Sequence, residues 1–326
     1  MRRREFIAGL GGAAATWPLA ARAQQAGKVP RIGFLGTSSP AAFAVRLEGI
    51  RSGLRDFGYI EGATIAIDYR WAEGRYERLP ALASDLVRSN VDLIVTHTTP
   101  GSLAAKQATT KIPIVMALIG DPVAAGVVAS VARPGGNITG QSFFNAELRV
   151  KRIELLKEVK PSLTKVAVIL NADNPSAEIE FQAMETAAKS LGIALRPFRL
   201  RAMSDLIGAF GEMEQWQVEA IETGDDQMPL GNIGAVTALA AKARLLTIGP
   251  EDVPRSGGAF GYGIDISATY RRVAFFVDKI LRGTSPADLP IERASKFQFI
   301  LNLKTARALG LEVPASTLLR ADEVIE

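Results

Sequence analysis

The chain has 326 residues, 48% hydrophobic and 22% charged, a make-up that excludes a disordered chain and fits about two domains of ordinary size. It has no cysteine, which rules out a disulfide framework, a thiol nucleophile, a thiolate metal site and a lipid-anchored cysteine. The formal charge of +4 is concentrated at the start and gives no footprint for nucleic acid.

Arg3-Arg4-Glu5-Phe6-Ile7 is followed by a small, apolar run from Ala8 to Ala15, then Pro18 and an Ala21-Arg22-Ala23 cleavage pattern. Residues 1–23 therefore read as a secretory leader, and the arginine pair makes it a twin-arginine signal peptide. The run falls short of the roughly 20 apolar residues needed to span a bilayer. Removing it takes Lys+Arg from 38 to 34 and Asp+Glu from 34 to 33, leaving +1. The expected location is the periplasm. Gly9-Leu10-Gly11-Gly12-Ala13-Ala14 matches a dinucleotide fingerprint, but no strand precedes it, so no pyrophosphate site is expected.

Arg31 to Leu35 reads as a first strand. Phe43, Leu47, Ile50, Leu54 and Phe57 then fall on one helical face that Gly58 ends. Ile65, Ile67, Tyr69 and Trp71 alternate with Ala66, Asp68 and Arg70, the period of a strand. A helix over Leu79 to Val87 leads to a strand from Val91 to Val95, a short helix, and a strand from Ile114 to Leu118. Arg133-Pro134-Gly135-Gly136-Asn137 makes a turn-rich break, with a domain boundary near Gly140 to Asn145. The same grammar then restarts. A helix carries Val150, Ile153, Leu156 and Val159, and a strand runs from Val166 to Leu170. A helix carries Phe181, Met184, Ala188 and Leu191, and a strand runs from Leu195 to Phe198. After a helix over Leu206 to Met213 come a weak strand from Val218 to Ile221 and strands at Leu245 to Ile248 and Ala259 to Tyr262. A helix from Val273 to Leu281 completes the pattern. Alternating strands and helices predict two open α/β units with parallel sheets.

Ligands of such sheets bind beyond the carboxyl ends of the strands. Those ends carry Ser38-Ser39, His97-Thr98-Thr99, Gly120-Asp121, Asn171 to Asn174 and Gly224-Asp225. Hydroxyls, amides and carboxylates at helix starts suit a small polar or anionic ligand, and they are equally the ordinary helix-capping residues.

Several blocks resemble one family of ABC-importer substrate-binding proteins, often described as tryptophan/tyrosine-type, with a type I periplasmic-binding fold. They are Glu61 to Ala83 (EGATIAIDYRWAEGRYERLPALA), Thr110 to Gly140, Ser256 to Asp265 (SGGAFGYGID), Lys296 to Pro314 (KFQFILNLKTARALGLEVP) and Arg320 to Glu326. Gly120-Asp121-Pro122 and Arg133 to Gly140 are the most specific. The resemblance implies two Rossmann-like α/β lobes joined by a hinge, one from 29–144 with 266–290, the other from 145–265 with 291–326. It implies ligand loops at Ser38, Ser39, Thr98, Thr99 and Asp121 in the first lobe and Asn171, Asn174 and Asp225 in the second, with Tyr262 near the hinge. It further implies a small-molecule ligand such as an amino acid or an aromatic or carboxylate solute, captured by hinge closure, an ABC permease as partner, a monomer, no cofactor and no enzymatic activity.

The resemblance breaks at Val218 to Leu230, where an apolar strand and an aromatic loop are expected and VEAIETGDDQMPL stands. Glu222, Asp225 and Asp226 read either as a site for a more polar or amine-bearing ligand or as a solvated acidic loop. Two other functions share the pattern. A ligand-sensing module would have the same fold and cleft. A hydrolase would depend on His97, the single histidine, yet no G-x-S-x-G elbow accompanies it. Asp225-Asp226 and Glu251-Asp252 lack the further oxygen donors that a hard cation needs.

Overall fold

The computed structural model describes residues 29–143 and 145–326, so the leader at 1–23 lies outside the described residues. The first half contains β1 (Arg31–Gly36), α1 (Ala44–Asp56), β2 (Ala66–Trp71), α2 (Leu79–Arg88), β3 (Leu93–Thr96), α3 (Thr98–Ala108), β4 (Ile114–Ile119) and β5 (Ile138–Ser142). Then follow α4 (Asn145–Val159), β6 (Lys165–Asn171), α5 (Ala177–Ser190), β7 (Ala194–Leu200), α6 (Leu206–Gln215), β8 (Ala220–Glu222), α7 (Gln227–Leu230), α8 (Ile233–Lys242), β9 (Leu246–Gly249), α9 (Asp252–Arg255) and β10 (Phe260–Ile264). The last stretch holds α10 (Ile266–Leu281), β11 (Glu292–Arg293), β12 (Phe297–Asn302), α11 (Leu303–Ala308), α12 (Ala315–Leu318) and β13 (Glu323–Ile325).

Two sheets result, ordered β11-β5-β4-β3-β1-β2 and β13-β12-β10-β9-β8-β6-β7. Within each, the first five strands in chain order lie as second, first, third, fourth, fifth, and they pair in parallel. This is the doubly wound order whose direction reverses between the first and third strands, where a crevice opens. The expected α/β fold with two mostly parallel sheets is therefore found, with two strands of the second sheet reversed: β12 pairs antiparallel with β10, and β13 runs parallel to β12.

The strands show why the pattern was readable. In β1, Ile32 and Phe34 enter one core layer while Leu35 enters the layer on the other face. In β6, Val166, Val168 and Leu170 face one layer, and Ala167 and Ile169 the other. A strand buried on both faces reads as a continuous apolar run. By contrast β2, at a sheet edge and half-buried throughout, shows a polar-apolar alternation.

The chain leaves the first sheet after β5, a strand lying in the stretch read as a break. It returns with α10, whose Tyr270, Val273, Phe276 and Val277 share a core with Leu47, Ile50 and Leu54 of α1. Asp265 caps α10 by accepting a hydrogen bond from the Ala268 N–H at 2.9 Å. Near Ile291, where the second unit is expected to resume, β11 pairs with β5, so the first sheet includes Glu292 and Arg293.

Candidate functional site

The switch points of both sheets face each other. From the first come Thr37 to Ser39 after β1, His97 to Thr99 after β3, and Gly120 after β4. From the second come Asn171 to Asn174 after β6 and Thr223 to Asp226 after β8. Between them lies a cavity of about 60 Å³ lined by Thr98, Thr99, Gly120, Phe143, Asn145, Arg149, Asn171, Asn174, Glu180, Asp225, Asp226 and Tyr270, among others. A second hollow of about 30 Å³ adjoins it past Leu118, Phe143, Asp225, Gln227 and Tyr270, and is otherwise lined by Arg46, Leu230, Pro250, Ile264 and Ile266.

The second lobe supplies a buried charge network. Arg149 and Arg152 sit one turn apart on α4 and are fully buried. Arg149 donates Nε to Glu222 at 3.1 Å and Nη1 to Glu180 at 2.9 Å, and its Nη2 pairs with Glu222 as well. Arg152 donates to Glu222 at 3.0 Å, forks onto both Asp225 oxygens at 2.6 and 2.7 Å, and reaches the Tyr262 carbonyl at 2.7 Å. Burial works against both guanidinium charges. The facing carboxylates, Glu222 first for Arg149 and Asp225 first for Arg152, outweigh it and hold both pKa values above the ordinary range. Burial also pushes the Glu180 carboxyl up, against the pull of Arg149.

Asp226 gathers four donors: the Asn171 and Asn174 amides at 2.8 Å each, the Met228 N–H at 2.9 Å, and the Tyr76 hydroxyl at 3.1 Å from the opposite lobe. Burial, then the Asp226 charge, raises the Tyr76 phenol well above its usual value. The acidic stretch is therefore no solvated loop. Glu222 is wholly buried, and Asp225 and Asp226 are bonded into the cleft wall. Gly224 makes this possible. It has φ +70°, and a Cβ there would stand 3.2 Å from the Ile169 carbonyl and 3.3 Å from Arg149 Nη2.

The first lobe answers with neutral groups. Thr98, the first residue of α3, holds φ +64°, a strained conformation for a β-branched residue. Its hydroxyl is buried and has no partner, as is the Asn145 Oδ1 at the start of α4, and both residues line the cavity. Gly120 leaves the space opposite Glu180 open, since a Cβ there would lie 3.6 Å from Glu180 Oε1 and 3.7 Å from Asn145 Cβ.

Of the nine residues read as ligand contacts, Thr98, Thr99, Asn171, Asn174 and Asp225 meet in the cavity. Ser38 and Ser39 line a separate groove at the cleft mouth with Arg75, Arg201 and Asn232. Asp121 instead turns its own loop, accepting from the Val123 and Ala124 N–H groups at 2.9 and 3.0 Å. The Tyr262 ring stacks on Phe297, 6.3 Å between centroids, and does not line the cavity; Tyr270 of α10 does. Asn145, Arg149 and Glu180 were missed. Arg149, Arg152, Ile153 and Leu156 follow the i, i+3, i+4, i+7 spacing of a buried stripe, so two arginines inside that stripe were the available signal.

His97 is fully buried and outside the cavity lining. Burial, then the Arg46 charge, lowers its pKa to about 3. Thr37 meets its ring, with the N–H at 3.1 Å and the hydroxyl at 3.3 and 3.5 Å from the ring nitrogens.

The lobes touch across the cleft. Besides Tyr76 with Asp226, Ser176 donates to Thr99 at 2.9 Å, and Arg46 pairs with Asp252 at 2.9 Å.

Residues 36–325 match the family described as ABC transporter substrate binding protein. The chain is similar to a tyrosine-binding protein of Clostridioides difficile, 29% identical over 274 residues, covering 81% of this chain and 76% of the relative. It is similar in structure to an ABC domain from Streptococcus pneumonia in complex with L-Trp, at 25% identity and TM-score 0.85, covering 91% of this chain and all of the other. It is also similar to the ligand-free, open structure of a substrate-binding protein with adhesive properties from Clostridium difficile. There the identity is 24% and the TM-score 0.65, over 91% of this chain and 99% of the other.

Proposed function

We propose a function from one premise: the chain belongs to the ABC transporter substrate-binding protein family. Proteins of this family bind small molecules for ABC transporters and typically work outside the cytoplasm. In our reading this member is exported by the twin-arginine route to the periplasm. There it captures a small solute carrying a primary ammonium group and delivers it to a permease of an importer.

One observation carries the choice of ligand. The cavity is lined by one cation, Arg149, and the three carboxylates of Glu180, Asp225 and Asp226, with the buried Arg152–Glu222 pair bonded to them and Arg46 in the adjoining hollow; all three arginines are already paired. Beside Glu180 stand two oxygens without partners, Thr98 Oγ1 and Asn145 Oδ1. An ammonium has three N–H donors and one positive charge, so it satisfies these oxygens and offsets the surplus of negative charge. The adjoining hollow, with Leu230, Ile264 and Ile266 beside Leu118 and Phe143, adds apolar wall next to this polar end.

Tyr76–Asp226, Ser176–Thr99 and Arg46–Asp252 shut the cavity, so ligand access requires the lobes to part. The better superposition on the L-Trp complex than on the open structure supports a closed arrangement. Binding then selects the closed form because only that form lets one ligand touch both lobes. The relatives' ligands, tyrosine and L-Trp, fit the same chemistry.

Isothermal titration with matched pairs tests the reading: L-tryptophan against indole-3-propionate, L-tyrosine against its deaminated acid, and tryptamine for an amine alone. Binding confined to the amines supports it. Equal binding of the deaminated acids overturns the assignment of an ammonium site.

A further inference from the structure

The geometry around the single histidine assigns it a task that neither catalysis nor ligand contact describes. We propose that His97 is a positioning residue: a buried hydrogen-bond acceptor that ties the loop after β1 to the start of α3 and so sets where Thr98 and Thr99 stand. The proposal rests on the cleft being the ligand site, but its first measurement does not.

Thr37 follows the last residue of β1 and is completely buried. Its N–H donates to His97 Nε2 at 3.1 Å. Buried backbone N–H groups are almost always paired, and leaving one unpaired is costly. A donor facing Nε2 requires a lone pair there, so the ring is neutral with its proton on Nδ1. The Thr37 hydroxyl lies 3.3 Å from Nε2 and 3.5 Å from Nδ1, so the backbone and side chain of one residue face both ring nitrogens.

The surroundings hold the ring in this state. The Phe43 ring lies 4.3 Å from it between centroids and Phe34 6.2 Å. The charge that acts on it is Arg46 of α1, itself tied to Asp252, and Tyr270 of α10 packs behind Phe43. A protonated ring would lose the Thr37 bond and face a cation in an apolar bed.

The chain after His97 makes this anchor matter. His97 itself is extended, at φ −142°, and Thr98, where α3 begins, then turns to φ +64°. Strain of this kind persists only where the surroundings over-determine it. Gly101 adds to the constraint, because a Cβ there would stand 2.6 Å from Thr96 Oγ1 and 3.2 Å from Thr37 Cγ2. Thr37, Thr96, His97 and Gly101 thus form one packed corner beside Thr98, which lines the cavity.

The test compares His97→Leu, which fills the space without an acceptor, with His97→Gln, whose amide oxygen can accept where Nε2 did. Amide hydrogen exchange is followed without ligand. For the Leu variant, exchange at Thr37 and over Thr98 to Ser102 should quicken tenfold or more while β6 and β8 stay protected, and Gln should bring it back to within about threefold of the parent. Unchanged exchange in the Leu variant, or equal loss in both variants, overturns the proposal. If the Leu variant does not fold, the Gln variant decides alone, since failure to protect Thr37 also overturns it. Titration with L-tryptophan adds the functional arm, with affinity falling in Leu and recovering in Gln. A parent protein that binds no amine would refute the ligand reading and leave the exchange result to judge His97.

Discussion

The two lobes repeat one strand order yet present opposite chemistries to the cleft. The first offers a hydroxyl, helix-start N–H groups and a bare glycine, on a bed of aromatic rings with a neutral histidine. The second offers Arg149, Arg152, Glu180, Glu222, Asp225 and Asp226, charged and mostly out of water. Buried charges are tolerated only as closed hydrogen-bonded sets, so the second face is stiff and fixed in advance. Neutral groups carry little desolvation cost and can tolerate strain, as Thr98 does. Fold repetition therefore places two crevices, and side-chain chemistry makes one of them charged and the other neutral.

The largest test of this contrast is Glu222→Ala. It strands two buried arginines and should cost about 3–5 kcal/mol, measured by chemical denaturation. A loss below about 1 kcal/mol would mean that the network is not the rigid face described. Next comes pH. The folded His97 ring has a pKa of about 3 against an ordinary 6.5, so the unfolded chain takes up the proton first. The stability contributed by the neutral ring is complete above 6.5 and is lost as pH falls toward 3, at about 1.4 kcal/mol per unit. The difference between parent and His97→Gln unfolding curves across that window isolates it, and parallel curves would remove it.

Glu180→Gln keeps shape and removes a charge from the selecting face, so affinity for an amine ligand should fall about ten- to hundredfold with a modest change in stability. Tyr76→Phe deletes one hydrogen bond between the faces and should weaken binding by about fivefold through a less favourable closure. The smallest effect on binding belongs to Asp121→Ala. It should lower stability by about 1 kcal/mol through its loop and leave affinity unchanged by calorimetry, because the side chain serves Val123 and Ala124.

Much of the fold could be read from apolar patterning, because β1, β4 and β6 are buried on both faces and their runs are unbroken. The loops after them were also readable, since strand ends in such sheets are where ligands gather. Besides the closing strands β12 and β13, three features escaped. β5 contains Gly140 and polar residues, so its backbone pairing left no apolar trace. α8 lies just beyond an acidic stretch that drew attention to itself as loop. The charge network is a set of long-range pairs, Arg149 with Glu222 and Arg152 with Asp225, and periodicity within one helix cannot show its partners. The same blindness made Asp225 and Asp226 look like a choice between ligand contact and solvent, when much of their bonding is to the protein itself.

The placement of α10 has a consequence for how the molecule is made. The ribosome finishes β1 to β5 early, but Tyr270, Val273, Phe276 and Val277, which close the core of that lobe, lie on the far side of the second lobe in the chain. At roughly 5–20 residues per second, the delay between Ser142 and Leu281 is on the order of ten to thirty seconds. For that time the nascent first lobe displays the apolar side of Ile32, Phe34, Val95 and Val115 to the cell. The second lobe, whose own core is nearly all encoded between α4 and β12, has the shorter wait. The half synthesised first therefore stays incomplete until most of the second has been made, and both cores close only in the last stretch of the chain, one with Tyr270 to Val277 and the other with Phe299 and Leu301.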